Sequence, residues 1–141
     1  MFKTQEVGVS KKDTFVVNFD SPHFIIAITP DNPKVADVFK MRIGSFNTTY
    51  YADKAFELTS NLFGVNKQMV VLKSFDNAKD AISYYDNLIA DPEMFKGDVK
   101  KELIDIFPIL SDNLPFFYKS KNVEGYRTFY QENYKKLTSK N

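Results

Sequence analysis

The sequence predicts an α+β domain of ferredoxin-like βαββαβ topology, with sheet order 4-1-3-2, followed by two C-terminal helices. Three observations lead to it. Two continuously apolar runs, "HFIIAIT" (His23 to Thr29) and "MVVL" (Met69 to Leu72), have the character of strands covered on both faces. An alternating run and a proline-bearing run have the character of sheet edges. Each apolar run also leads into a helix-start signal, and in the ferredoxin-like order the first and third strands form the inner pair.

Residues 1–13, "MFKTQEVGVSKKD", are polar and aperiodic and read as a flexible leader to a single domain over 14–137, with 138–141 as a tail. "TFVVNF" (Thr14 to Phe19) is a candidate accessory strand. After the first central strand, "PDNPK" supplies Asp31 or Asn32 to cap free N–H groups and Pro33 for the first helical turn, where its missing N–H costs nothing. Val35, Val38, Phe39, Ile43, Phe46 and Tyr50 then recur at steps of three and four, the buried stripe of an amphipathic helix. From Phe56 to Phe63 the period changes to two, which predicts an edge strand with one wet face.

"FGVNKQ" turns the chain into the second central strand. Asp76 or Asn77 caps the next helix, whose Ala78, Ala81, Ile82, Tyr85, Leu88 and Ile89 share a face, and "DPEMFKGD" closes it. "ELIDIFPIL" (Glu102 to Leu110) is the fourth strand. Pro108 cannot donate to a ladder, so this strand belongs at an edge. Ser111 or Asp112 caps a helix around "NLPFFYKS", and Asn122 caps a last one carrying Val123, Tyr126, Phe129, Tyr130, Tyr134 and Leu137 as an aromatic stripe. The two main helices cover one face of the sheet. Something must cover the other, and the C-terminal helices are the first candidate, ahead of a second chain or a ligand.

Composition narrows the function. Of 141 residues 43% are hydrophobic, with 14 Phe and 8 Tyr, so a core forms without staples. The absence of cysteine removes thiolate metal sites, iron–sulfur clusters, thiol catalysis and disulfides. A net charge of +1 provides no general field for nucleic acid or anionic membrane, although residues 119–141 carry six Lys or Arg against two Glu. No apolar segment in the first 20 residues resembles a secretion signal, and no run reaches the roughly 18 residues of a membrane span.

Reactive constellations are equally scarce. "KSFDNAKD", at the strand-to-helix junction where phosphates are often cradled, contains no glycine. His23 is the single histidine, beside Asp20 and Ser21; it reads as a structural residue bonded to nearby backbone, with a catalytic role as the lesser alternative. Glu102 and Asp105 face opposite ways if both lie on a strand, and Asp76 and Asp80 suit a helix start. RNA-recognition sheets stack bases on exposed aromatics, and here only Lys73 and Phe75 fit that role. No metal or cofactor is expected. Tyr126, Arg127 and Tyr130 are candidate partner anchors, since Tyr and Arg are common in binding hot spots, against the plainer reading that the stripe packs internally.

Taken together, "SPHFIIAI", "FNTTYY", "QMVVLKSFDNAKDAISYYDNL" and "FPILSDNLPFFYKSKNVEGYRTFYQENY" resemble the C-terminal region of tetratricopeptide-repeat lipoproteins linked to type IX secretion and gliding motility. The likeness covers residues 14–135 or so. It implies a non-catalytic protein-binding or scaffolding module of the bacterial cell envelope or periplasm, with a protein partner in that machinery and no direct membrane insertion. "VVLKSFDNAKDAISYYDNL" also resembles the peptidoglycan-binding SPOR module, with Lys73 and Ser74 where that family places a glycine before the Phe. This second resemblance implies glycan binding on the sheet face opposite the two main helices, bordered by Lys73 and Phe75.

Overall fold

β1, His23–Pro30, lies at the centre of a four-stranded antiparallel sheet of order β2-β3-β1-β4 in the computed structural model, which describes residues 14–137. β2 spans Glu57–Leu62, β3 Lys67–Phe75 and β4 Asp105–Leu110. The helices are α1, Pro33–Tyr50; α2, Ala78–Ala90; α3, Leu114–Ser120; and α4, Val123–Tyr134. This is the ferredoxin-like order with two added C-terminal helices. The leader and tail expected at 1–13 and 138–141 lie outside the described residues.

The inner strands are the apolar ones because both of their faces are covered. Ile25, Ala27, Val70 and Leu72 point towards α1 and α2, where they meet Phe39, Ile43, Phe46, Ala81, Tyr84 and Leu88. Ile26, Ile28, Met69 and Val71 point the other way and pack with Phe107, Ile109, Phe117 of α3 and Tyr126 of α4. The C-terminal helices therefore close the second face, and neither inner strand leaves a side-chain row open to solvent.

Capping follows the expected chemistry at three helices and departs at one. The Asn32 side chain accepts from the Lys34 N–H, Asn77 from Asp80 and Asn122 from Gly125. Gly125 leaves the Asn122 amide its space, because a Cβ there would run into it. Neither Ser111 nor Asp112 caps α3, which starts from a short 3-10 turn without a side-chain cap. Asn113, the residue before α3, is instead buried and turned to Val16: its Oδ1 accepts the Val16 N–H and its Nδ2 donates to the Val16 carbonyl, both at 2.9 Å.

That amide clamp explains why Thr14 to Phe19 is not a strand. The segment crosses the C-terminal helices, with Phe15 against Phe116, Tyr126 and Phe129 at 4.9–5.4 Å between ring centroids, and pairs with no sheet edge. Residues 101–103 form a 3-10 turn, so Glu102 is not on a strand with Asp105. Pro108 lies on β4, which among the described residues pairs with β1 on one side only, so no ladder bond is lost. Gly64 and Asn66 turn β2 into β3 with φ of +67° and +65°, the left-handed region those two residues tolerate best.

Candidate docking site

The predicted anchors on α4 divide between core and surface. Tyr126 is 0% exposed; its ring fills the space between Phe107, Phe117 and Phe15, and its hydroxyl donates to the Pro108 carbonyl at 2.8 Å. It cannot anchor a partner while the domain is folded, because the helix needs that ring to cover the sheet. Arg127 is half-buried, with its guanidinium 5.2 Å from the Phe107 ring centre, and reaches Asp105 at 2.6 Å and Glu124 at 3.1 Å. Tyr130 stacks on Tyr134 at 4.7 Å, and its buried hydroxyl has no hydrogen-bond partner among the described residues. Arg127 and Tyr130 line one open cleft of ≈ 260 Å³ with Lys101, Asp105 and Gln131.

The glycan candidates are separated too. Lys73 stands on the expected face, its ammonium 5.4 Å from the Phe24 ring centre. Phe75 does not. Ile25 pairs with Leu72 but His23 with Phe75, so β3 carries one residue more than β1 over that stretch, a bulge that turns Phe75 into the layer under α1 and α2. There it packs against Phe56 and Tyr84 at 4.8 and 5.1 Å. α3 and α4 pack over the opposite face, so the sheet surface assigned to glycan is largely covered.

His23 is buried. The Ser21 carbonyl lies 2.8 Å from Nδ1 and the Tyr134 hydroxyl 2.7 Å from Nε2, so Nδ1–H donates to backbone and Nε2 accepts from tyrosine. Burial lowers its pKa from the usual 6.5, with the Ser21 bond working in the other direction. The neutral ring thus latches the end of α4 to the start of β1. Asp20 and Ser21 supply no side-chain partner to it, and no group of three metal-ligating side chains occurs among the described residues.

A further cleft, of ≈ 490 Å³, was not legible in the sequence. It lies where the ends of α1 and α2 meet, lined by Phe46, Tyr50, Tyr51, Asn87, Asp91 and Pro92. Tyr50 is 64% exposed there, and the Asn87 amide donates to the Tyr51 hydroxyl at 3.1 Å. The reading of Tyr50 as part of the buried stripe fails because α1 runs past the end of its neighbours' cover.

The outer edge of β2 is the other open feature. The Phe63 N–H donates inward to the Lys67 carbonyl at 2.9 Å. Successive residues of a strand direct their backbone groups to opposite sides, so Thr59 and Asn61 also face β3, whereas Leu58, Ser60 and Leu62 face outward. An independent contact agrees: the Tyr118 hydroxyl reaches the Leu62 carbonyl from outside at 3.0 Å. Among the described residues β2 has a ladder on one side only. Leu62 is 66% exposed and Leu58 36%, contrary to the expectation of one dry face, and Val65 in the adjoining turn is 83% exposed.

The cause lies in α1. Its apolar stripe packs with residues of β1 and β3, and towards the sheet edge Lys40 Nζ donates to Ser60 of β2 at 3.3 Å and to Gln68 of β3 at 3.4 Å. β4 is shielded further along its length: five of its six residues are buried, Tyr126 binds its Pro108 carbonyl and Arg127 its Asp105 side chain, whereas β2 has the Tyr118 hydroxyl on Leu62 and stays largely exposed. Edges left with unpaired donors and acceptors are templates for another strand unless something blunts them, and β2 carries neither Lys nor Pro. No family model matches the chain, and no curated protein or solved structure matches it either.

Proposed function

We propose that this chain is a non-catalytic docking module of the bacterial cell envelope, tied to type IX secretion and gliding machinery, that binds protein through the β2 edge. The observation that carries the docking reading is the outward row Leu58, Ser60 and Leu62: backbone groups facing away from the sheet, flanked by exposed apolar side chains. A strand added there gains ladder bonds from its main chain and specificity from alternate side chains. The assignment to the envelope rests on the order of segments that resembles the terminal region of the repeat lipoproteins.

The test is residue-resolved hydrogen exchange of the chain with and without a solubilised envelope fraction, in parallel with Ser60→Pro. Proline at 60 removes an outward N–H and no bond to β3, so the fold survives it. Docking predicts slowed exchange at Leu58, Ser60 and Leu62 of the wild type and no slowing at Leu58 and Leu62 of the variant, whose residue 60 has no amide proton. A retained protein that binds Ser60→Pro equally well contradicts the reading.

A second reading, a peptidoglycan glycan binder, is favoured by the Tyr50 cleft, where an exposed ring stands beside an amide and a carboxylate. Aromatic faces stack on sugar rings, and paired polar groups select their hydroxyls. That moves glycan binding from the sheet to the helical layer. Glycan strands stripped of stem peptides should be retained by the wild type and about tenfold less by Tyr50→Ala, the loss expected for roughly 1.4 kcal/mol of stacking. No retention by the wild type removes this reading.

A further inference from the structure

We infer that the partner at the β2 edge is the β2 edge of a second copy of this chain, joined antiparallel about a twofold axis at Ser60. This rests on the reading of β2 as a docking edge and names its occupant. The register follows from the alternation of backbone groups. Two copies can bond only where outward residues meet outward residues, so an axis between Thr59 and Ser60 is excluded, because it sets Leu58 against the inward-facing Asn61. Axes at Thr59, Ser60 and Asn61 all meet the condition, and the one at Ser60 alone uses all three outward residues of the strand. It pairs Leu58 with Leu62, Ser60 with Ser60 and Leu62 with Leu58, about six ladder bonds in all.

The side chains agree with the same register. Leu58 and Leu62, both exposed apolar residues on an otherwise polar strand, come directly opposite one another twice. On the other face Glu57 comes opposite Phe63 of the second copy. The Lys121 ammonium lies 5.6 Å from the Phe63 ring centre, on the side of the sheet to which Glu57 also points, so an acid from each copy meets a base from the other. Glu57 makes no salt bridge within its own chain among the described residues. An isologous contact of this kind closes on itself and yields a dimer with one eight-stranded sheet rather than a filament.

One group competes for the edge. The Tyr118 hydroxyl holds the Leu62 carbonyl that the second copy's Leu58 N–H would take. It acts as a guard on the edge, and its removal favours pairing.

Sedimentation of the full chain over a range of concentrations tests the inference. The expected result is a mass twice the 16.3 kDa of one chain at high concentration, falling to one chain on dilution. Ser60→Pro removes two bonds at the axis and raises Kd by at least about 30-fold. Glu57→Lys sets lysine against Lys121 and weakens the dimer by about tenfold at low salt, with Glu57→Lys/Lys121→Glu recovering it. Tyr118→Phe lowers Kd.

The chain has no cysteine, so Ser60→Cys adds a lone thiol. At the axis the two Cα atoms stand about 5.5 Å apart, within disulfide range, and mild oxidation links the copies. Thr59→Cys, off the axis and on the other face, does not link. A dimer in which Ser60→Cys fails to link overturns the inference. A single-chain mass at every concentration overturns it as well, and the amides then separate its failure from that of the docking reading. Fast exchange at Leu58, Ser60 and Leu62 leaves the edge free for a different partner. Slow exchange in that monomer means the chain itself covers the edge, and both readings fall.

Discussion

Replacing Tyr126 by phenylalanine and by alanine separates its ring from its hydroxyl. The ring is fully buried among Phe15, Phe107 and Phe117, and the hydroxyl binds the Pro108 carbonyl. Tyr126→Phe leaves that carbonyl without its donor, at a cost of about 1–2 kcal/mol. Tyr126→Ala adds the loss of a large aromatic and the cavity left behind, for a total of about 4–6 kcal/mol. The side chains around the void come from β4, α3 and the segment through Phe15, three separately anchored elements, so little relaxation is available to fill it. Urea unfolding followed by far-ultraviolet circular dichroism reads both values from the midpoint shift at constant slope. If alanine costs within 1 kcal/mol of phenylalanine, α4 does not seal the sheet, and Tyr126 returns as a partner anchor.

Three further outcomes follow from the same contacts. The unfolded chain takes up a proton at His23 from about pH 6.5 downward while the folded imidazole resists it, so stability is full above that pH and declines below it, until the folded ring also protonates. The slope is at most about 1.4 kcal/mol per pH unit, and His23→Gln should lose less stability than the wild type between pH 7.5 and 5.5; equal losses contradict the latch. Asn113→Ala breaks both bonds to Val16 and should cost about 1–3 kcal/mol, with faster exchange at the Val16 amide; unchanged exchange there would mean the clamp is not formed in solution. Arg127→Ala should cost less than about 1 kcal/mol, since Arg127 and Asp105 are about one-third exposed, Glu124 is mostly exposed and water screens both pairs, and a loss above 2 kcal/mol would place Arg127 in the core.

The topology was legible because strand burial and side-chain pattern are coupled. "IIAI" and "MVVL" are apolar throughout since helices lie on both sides, and Pro108 marks a strand that among the described residues has no neighbour beyond it. The aromatic stripe of α4 was legible as packing for the same reason, yet its spacing could not tell Tyr126, inside, from Tyr130, at a cleft. On α2 the stripe read with Tyr85 missed Tyr84, which the structure buries with its hydroxyl on Asn47 at 2.6 Å, while Tyr85 packs only partly against the same core. Phe75 was misplaced by one bulge, since an added residue reverses the face of everything after it. The alternation in β2 suggested a dry face, but whether that face is covered depends on how far α1 reaches, which is a tertiary distance with no local signature.

Hydrogen exchange at single residues along β2, on chain dilute enough to sediment as one copy, tests the open edge most directly. Rapid exchange at 58, 60 and 62 with strong protection at 59, 61 and 63 is the predicted alternation. Uniform protection across all six amides would mean that the edge is already occupied, and the docking account would have no surface to stand on.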